Sequence, residues 1–344
     1  MASRPQQQHA PGAQRVLVAG ATGFTGALAA HLLWRHPHFE LAAVTGRSEL
    51  GRPLGEVYPR YRVPLAIEPL DPDALEGIDA AIVAYPHAAA APTVAALREH
   101  SIRVVDLSAD FRLRSLASYE RWYGEHPRAD LLDEAVYGLT ELHRERIAQA
   151  AIVANPGCYP TASLLALAPL ARAGLIADLV IDAKQGISGA GRVFDETTHL
   201  SMAGENIVPY KVAAHRHTPE IEEQLALLGG DPLRVQFQAH LVPLDEGEMA
   251  SCYATTTRPV SAGELAELYT SAYADEPFVE LLDGPPGVLE VRETNYCRVF
   301  VAADEHTGKV IAFGAIDNLW KGTSSQAIQN LNVMFGLPET TGLL

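Results

Sequence analysis

Near the N-terminus, apolar residues recur as short continuous runs, each halted by glycine or a polar turn. Arg15 to Ala19 runs into Gly20, and Leu41 to Val44 runs into Thr45-Gly46-Arg47-Ser48. Ala80 to Ala84 stops before Pro86-His87, and Arg103 to Leu107 stops before Ser108. Runs this short, bounded by turn residues, predict buried strands. Ala27 to Arg35, following the first run, and the alanine-rich Ala88 to His100, between the last two, read as helices. Strands alternating with helices predict a parallel, doubly wound sheet.

Beyond about residue 155 the texture changes. Leu179 to Ala183, Val235 to Val242, Ala250 to Thr257 and Cys297 to Ala303 are β-branched and predict strands with few helices between them. This pattern predicts a second α+β domain built on a mixed, largely antiparallel sheet. Hydroxyls at Thr161, Thr218 and Ser261 are candidate helix starts, able to cap free backbone amides. Ser324 to Phe335 returns to a helical pattern and is expected to pack on the first domain.

A chain of 344 residues exceeds a single core, which agrees with two domains. The expected division is a disordered tail over 1–13, a cofactor-binding domain over 14–156 joined by about 320–344, and a catalytic and oligomerisation domain over 157–319. The formal net charge of −16 argues against nucleic acid or an anionic membrane as partner, because both demand a cationic face. The tail is polar, rich in Gln and Pro, and unlike a signal peptide. The most apolar long stretch, Ala162 to Ile181, carries Pro169, Arg172 and Asp178, unlike a membrane span. Cys158, Cys252 and Cys297 cannot all pair and show no metal-binding spacing, so no metal site is expected and a reducing cytoplasm fits best.

Gly20, Gly23 and Gly26 fall between a predicted strand and a predicted helix. Glycine lets the backbone turn sharply and approach a pyrophosphate, whose charge meets the amides at the helix start. In this context the turn predicts a dinucleotide site rather than an incidental strand–helix connection. At the end of the second run an NAD site usually carries Asp or Glu. Here Arg47 and Ser48 stand there instead, suited to a ribose 2′-phosphate, so NADPH/NADP is the expected cofactor.

Asn155-Pro-Gly-Cys158-Tyr-Pro-Thr161 leads into a long apolar stretch. A cysteine at a helix start gains from the amides and dipole there, which favour a thiolate and could hold an oxyanion. Cys252 and Cys297 lie in predicted strands and read as small buried hydrophobes. His215-Arg216-His217-Thr-Pro-Glu220 gathers a titrating imidazole and a fixed cation ahead of another helix. That cluster suits proton transfer on an anionic substrate.

Taken together, GATGFTG (20–26), YPHA (85–88), DLSADFR (106–112), NPGCYPTA (155–162), GISGAGR (186–192), HRHTPEI (215–221) and AIDNLWKGTSSQAIQNLN (315–332) are similar to the N-acetyl-gamma-glutamyl-phosphate reductases, within the wider aspartate-semialdehyde-dehydrogenase-like group. The resemblance runs from Arg15 to Leu343. It implies a Rossmann-like first domain and NADPH-dependent reduction of a small acyl phosphate through a thioester, in arginine biosynthesis. Cys158 matches the nucleophile and His217 the acid/base residue. Arg112 matches a substrate-phosphate anchor, with His215 and Arg216 as further substrate contacts. Thr22, Phe24 and Pro86 join Gly20, Gly23 and Gly26 at the dinucleotide, while Ser188 and Gly189 match a loop near the nicotinamide. Asn318 matches a carboxamide contact, although helix capping would explain it too. A homodimer or homotetramer is implied.

One departure stands out. The family usually carries arginine in a Pro-x-x-Arg-Gly stretch, but this chain has Pro243-Leu-Asp-Glu246-Gly247, reversing the charge. Two other readings differ in class or substrate. A reductase of carrier-bound aminoadipyl phosphate in lysine biosynthesis would need a cationic docking surface. A non-catalytic NADP-binding regulator would not need both Cys158 and the histidine cluster.

Overall fold

A computed structural model describes residues 12–192 and 198–344 of the chain. Most of the expected tail lies outside the described residues. The chain divides into two compact units, Met1–Pro156 with Thr323–Leu344, and Gly157–Gly322.

The first unit alternates β1 (Gln14–Ala19), α1 (Phe24–Trp34), β2 (Phe39–Thr45), α2 (Leu54–Val57), β3 (Ile67–Glu68), β4 (Ala80–Val83), α3 (Ala90–Glu99), β5 (Arg103–Asp106), α4 (Leu116–Tyr123), β6 (Ala135–Tyr137), α5 (Thr140–Gln149) and β7 (Ile152–Ala154). Its seven strands form one sheet in the order β3-β2-β1-β4-β5-β7-β6. Every pairing is parallel, as the alternating pattern predicted. The four residues of β4 are all buried, as expected of a strand covered on both faces. Neighbouring β1 and β4 leave in opposite directions along the sheet order, and a ligand crevice opens at the carboxyl ends of such a pair. Gly20 and Pro86 follow those two ends.

In the second unit, α6 (Cys158–Arg172) is followed by β8 (Ile176–Gln185), α7 (Leu200–Ala203), β9 (Val208–Tyr210), α8 (Thr218–Gly229), β10 (Val235–Leu241), β11 (Glu248–Thr256), α9 (Ala262–Tyr273), β12 (Val279–Leu281), β13 (Cys297–Asp304) and β14 (Lys309–Ile316). The sheet order is β12-β13-β14-β11-β8-β10-β9. Two pairings, β8 with β10 and β12 with β13, are parallel and the other four are antiparallel. α6 lies against β11, β14 and β13. Its approach is close enough that a Cβ on Gly314 would collide with the carbonyl of Ala162. Thirteen of the fifteen residues of α6 are buried, the pattern of a helix enclosed on all sides. The chain then closes with α10 (Ser325–Met334) in the first unit, entered through a wide turn at Trp320–Ser324.

α8 starts at Thr218 as expected, while α6 starts earlier than Thr161. α6 begins three residues before Thr161, whose hydroxyl donates back to the carbonyl of Gly157 at 2.9 Å instead of capping amides. α8 is capped by His217, with no side-chain bond. Ser261 does cap α9, accepting from Glu264 N at 3.2 Å.

Candidate active site

The glycine turn of the first unit is built for close approach. Gly20 has φ of +92°, and a Cβ there would stand 2.7 Å from the carbonyl of Ala84. A Cβ on Gly26 would collide with Gly20 O, so α1 seats directly on the turn. Both Gly20 N and Ala21 N donate to Thr45 O at 2.9 Å, tying the turn to the end of β2. Gly23 is the N-cap of α1 and supplies no side-chain bond, so the first amides of the helix are left for a ligand. A Cβ at Gly23 would meet nothing nearer than Gly20 O at 3.8 Å, so that side is open.

Thr22 and Phe24 are half-buried, with Tyr58 donating to Thr22 O at 2.9 Å and meeting the Phe24 ring edge-on. Arg47 is exposed and lies over the Tyr85 ring, 4.7 Å from its centre, with exposed Ser48 beside it in sequence and exposed Pro86 after β4. An uncapped helix start, a glycine cradle and a stacked exposed guanidinium fit a phosphorylated dinucleotide.

The DLSADFR stretch is a brace. Asp110 accepts from Ala88 N, Ala91 N and the Tyr119 hydroxyl at 2.7, 2.9 and 2.9 Å. Arg112 is buried and donates from Nε to Asn155 O and from Nη2 to Leu107 O, both at 2.8 Å. The expected phosphate anchor therefore spends two donors on main chain, one of them three residues ahead of Cys158.

In the second unit, Cys158 is the first residue of α6, with Gly157 as N-cap and a partly exposed thiol. Gln185, at the end of β8, donates from Nε2 to its sulfur at 3.1 Å. Glu220, in the first turn of α8, is buried and accepts from Gly157 N at 2.8 Å. His217 lies on the same glycine, where a Cβ would stand 2.5 Å from its Nε2. Thus α8 delivers both a carboxylate and an imidazole to the residue preceding the thiol, which 59 residues of sequence separation did not reveal.

His215 differs from the expectation of a substrate contact. Its ring is buried among Tyr159, Tyr210 and Phe237, and its Nδ1 accepts from His217 N at 3.2 Å. Burial, with Lys211 adding to the effect, pushes its pKa down to about 3, so it is neutral and positions His217. Arg216 is half-buried and lies near enough to Lys211 to depress that ammonium further, after burial.

The loop carrying Glu246 is held by main chain and three side chains. Ser188 Oγ donates to Asp245 O at 2.7 Å, and Arg292 Nε donates to Glu246 O at 2.8 Å. Asn318 accepts from Gly247 N at 2.8 Å and donates to Ser188 Oγ at 3.0 Å, so its amide joins two loops rather than capping a helix. Gly189 packs on the Gln185 amide so tightly that a Cβ would overlap it.

Comparison with known proteins agrees with this division. Residues 15–150 match the family model for the NAD binding domain of semialdehyde dehydrogenase, and residues 158–318 match the model for its dimerisation domain. The N-acetyl-gamma-glutamyl-phosphate reductase of Desulforudis audaxviator is 49% identical over 343 residues, spanning 96% of this chain and 98% of its own. That of Moorella thermoacetica is 47% identical over 336 residues, spanning 95% and 96%. The chain belongs to the N-acetyl-gamma-glutamyl-phosphate reductase family.

The fold of this reductase family member is shared more widely. Aspartate semialdehyde dehydrogenase II from Vibrio cholerae, complexed with ASA, superposes with a TM-score of 0.72 at 19% identity, covering 94% of this chain and 98% of its own. The Candida albicans aspartate semialdehyde dehydrogenase with NADP gives 0.70 at 16%, covering 94% and 98%. Among the described residues no helix is long and apolar enough to cross a membrane.

Three residues of this reductase site were not singled out from sequence: Gln185, Lys211 and Glu220. A signal existed for one of them. β8 buries Leu179, Ile181, Ala183 and Gln185, so the polar residue falls in step with the buried face.

Proposed function

We propose that this chain reduces N-acetyl-L-glutamyl 5-phosphate to N-acetyl-L-glutamate 5-semialdehyde and phosphate, with NADPH, in the cytoplasm and as a step of arginine biosynthesis. The observation that carries the reading is one cluster: a partly exposed thiol at a helix start, an amide on its sulfur, and an imidazole against its N-cap. The names of the relatives supply the substrate.

In this mechanism the amides and dipole at the start of α6 favour a Cys158 thiolate. The sulfur attacks the acyl carbon, phosphate departs, and a thioester remains on Cys158. The Gly20–Gly26 turn, with Thr22, Phe24 and Pro86 around it, holds the dinucleotide pyrophosphate, and Arg47 with Ser48 holds the 2′-phosphate. NADPH, when bound, supplies the hydride. His217 gives a proton to the developing alkoxide and takes it back as the carbon–sulfur bond breaks, releasing aldehyde and thiolate. Ser188, Gly189 and Asn318 shape the loop assigned to the nicotinamide. Arg216, with Lys211 beside it, meets an anionic end of the substrate. Dividing the reduction at a covalent stage lowers each barrier.

The direct test runs the reaction backwards. Supplied with N-acetylglutamate semialdehyde, phosphate and NADP, the protein is expected to produce NADPH, measured by absorbance; dependence on all three substrates is required, and formation without phosphate would overturn the reading. For the cofactor, Arg47→Ala is expected to lower kcat/KM with NADPH by about 10- to 100-fold, the value of one charge-assisted contact, and to leave NADH nearly unaffected. An equal loss with both cofactors would remove Arg47 from the 2′-phosphate site.

Self-association follows from the second unit. Opposite α6 its sheet carries Val180, Tyr253 and Ile311 in one cross-strand row, with Phe300 stacked on Phe313 next to it, all half-buried. Such a face suits a second copy of the chain, as a homodimer or as half of a homotetramer.

A further inference from the structure

Asp110 follows β5 and is wholly buried, yet its carboxylate serves the turn after β4. Oδ1 accepts from Ala88 N at 2.7 Å and from the Tyr119 hydroxyl at 2.9 Å, while Oδ2 accepts from Ala91 N at 2.9 Å. Ala88 stands at φ +63°, a left-handed conformation that a residue with a Cβ rarely holds unless its surroundings impose it. Alanine has neither glycine's freedom nor a polar side chain of its own to fix that shape. Ala89, the N-cap of α3, makes no side-chain bond either, so the cap comes from Asp110. The aspartate is fixed from behind: its N donates to Ser108 Oγ at 3.0 Å, and His126 Nε2 meets its carbonyl at 2.6 Å. Tyr119 also stacks on Tyr123, whose ring meets His87 edge-on, a second hold on the same turn.

That turn borders the glycine cradle. A Cβ on Gly20 would stand 3.3 Å from the Tyr85 ring, and the same ring seats Arg47. We propose that Asp110 is a positioning residue for the dinucleotide, holding Tyr85–Ala88 in a strained, receptive shape before NADPH arrives. Order imposed in advance is order the cofactor need not supply on binding, which raises its affinity. Where the receptive shape is only partly populated, apparent affinity falls by that fraction. The DLSADFR stretch thereby acts on the cofactor from a distance, through the backbone of the neighbouring turn.

The inference rests on the dinucleotide lying at the glycine turn, as proposed above. Asp110→Asn keeps the size but turns an NH2 group toward a donor that the carboxylate accepted. It is expected to weaken NADPH binding, read by fluorescence titration, by about 10-fold, as when about a tenth of the molecules hold the turn. KM for NADPH should rise in step, and kcat should fall by much less. Adding Ala88→Gly should restore most of the affinity, because glycine takes φ +63° without an anchor. Unaltered affinity in folded Asp110→Asn, or a loss that Ala88→Gly leaves in place, would overturn the proposal. Should Asp110→Asn not fold, amide hydrogen exchange of the unaltered protein decides. The Ala88 and Ala91 amides are expected to be protected without cofactor, and protection that arises only with NADPH refutes prior positioning. NADPH that leaves the Gly20–Gly26 amides unprotected would instead overturn the dinucleotide site itself.

Discussion

Replacing Cys158 with serine or alanine is expected to lower turnover by about 10⁴-fold or more, since loss of a nucleophile removes the covalent route entirely. NADPH affinity, measured by fluorescence titration, should stay nearly unchanged, because the glycine turn and Arg47 belong to the other unit. Serine is the sharper probe. It keeps the size and the helix start but holds its proton far more tightly than a thiol. Substantial activity in either variant would contradict a thioester. Cys252 serves as the internal control. It is wholly buried in β11, and burial pushes its pKa well above that of an ordinary thiol, so alkylating reagents should pass it by.

The second large effect is expected at His217, where asparagine should reduce kcat by about 10²- to 10³-fold, as the loss of a general acid/base does. The structure offers a companion probe that leaves the imidazole in place. Gly157 has φ of −69° and ψ of 157°, a conformation alanine adopts freely, yet its Cβ would press on His217 Nε2 at 2.5 Å. Gly157→Ala should therefore act by displacing the ring, without backbone strain. In a His217→Ala background the added methyl should cost little more, so the two substitutions are expected to be strongly non-additive. Additive losses in kcat would mean that the glycine matters for another reason, such as its amide bond to Glu220.

The parallel sheet was readable because its central strands are buried on both faces and leave continuous apolar runs ending in glycine or polar turns. Three strands lacked that mark. β3 has two residues, and β6 and β7 have three each, too few for any periodicity to develop. β14, Lys309–Ile316, was missed although it lies between β13 and β11 inside the second sheet. Its run includes Ala312, Gly314 and Ala315, and at Gly314 a side chain is excluded because α6 passes so near. A strand thinned to admit a helix loses the bulky alternation that identifies strands.

Local chemistry fared differently from long-range chemistry. The glycine turn and the helix-start cysteine were legible because each depends on neighbours a few residues away, where backbone geometry follows sequence directly. The DLSADFR stretch was equally visible as a motif, but its role was not. Whether the Arg112 guanidinium meets a phosphate or the carbonyls of Asn155 and Leu107 depends on which loops the sheet order brings together.

By itself, then, the order of residues determined the strand–helix alternation, the glycine turn between β1 and α1, and the cysteine at a helix start. Tertiary structure alone decided that His215 is a neutral support inside an aromatic cage, while the neighbouring imidazole is the one laid against Gly157. It also decided that Gln185, at the end of β8, reaches the Cys158 sulfur. The physical reason is distance along the chain. Burial and cross-strand register set the charge and reach of these side chains, and both are properties of strands paired across tens of residues.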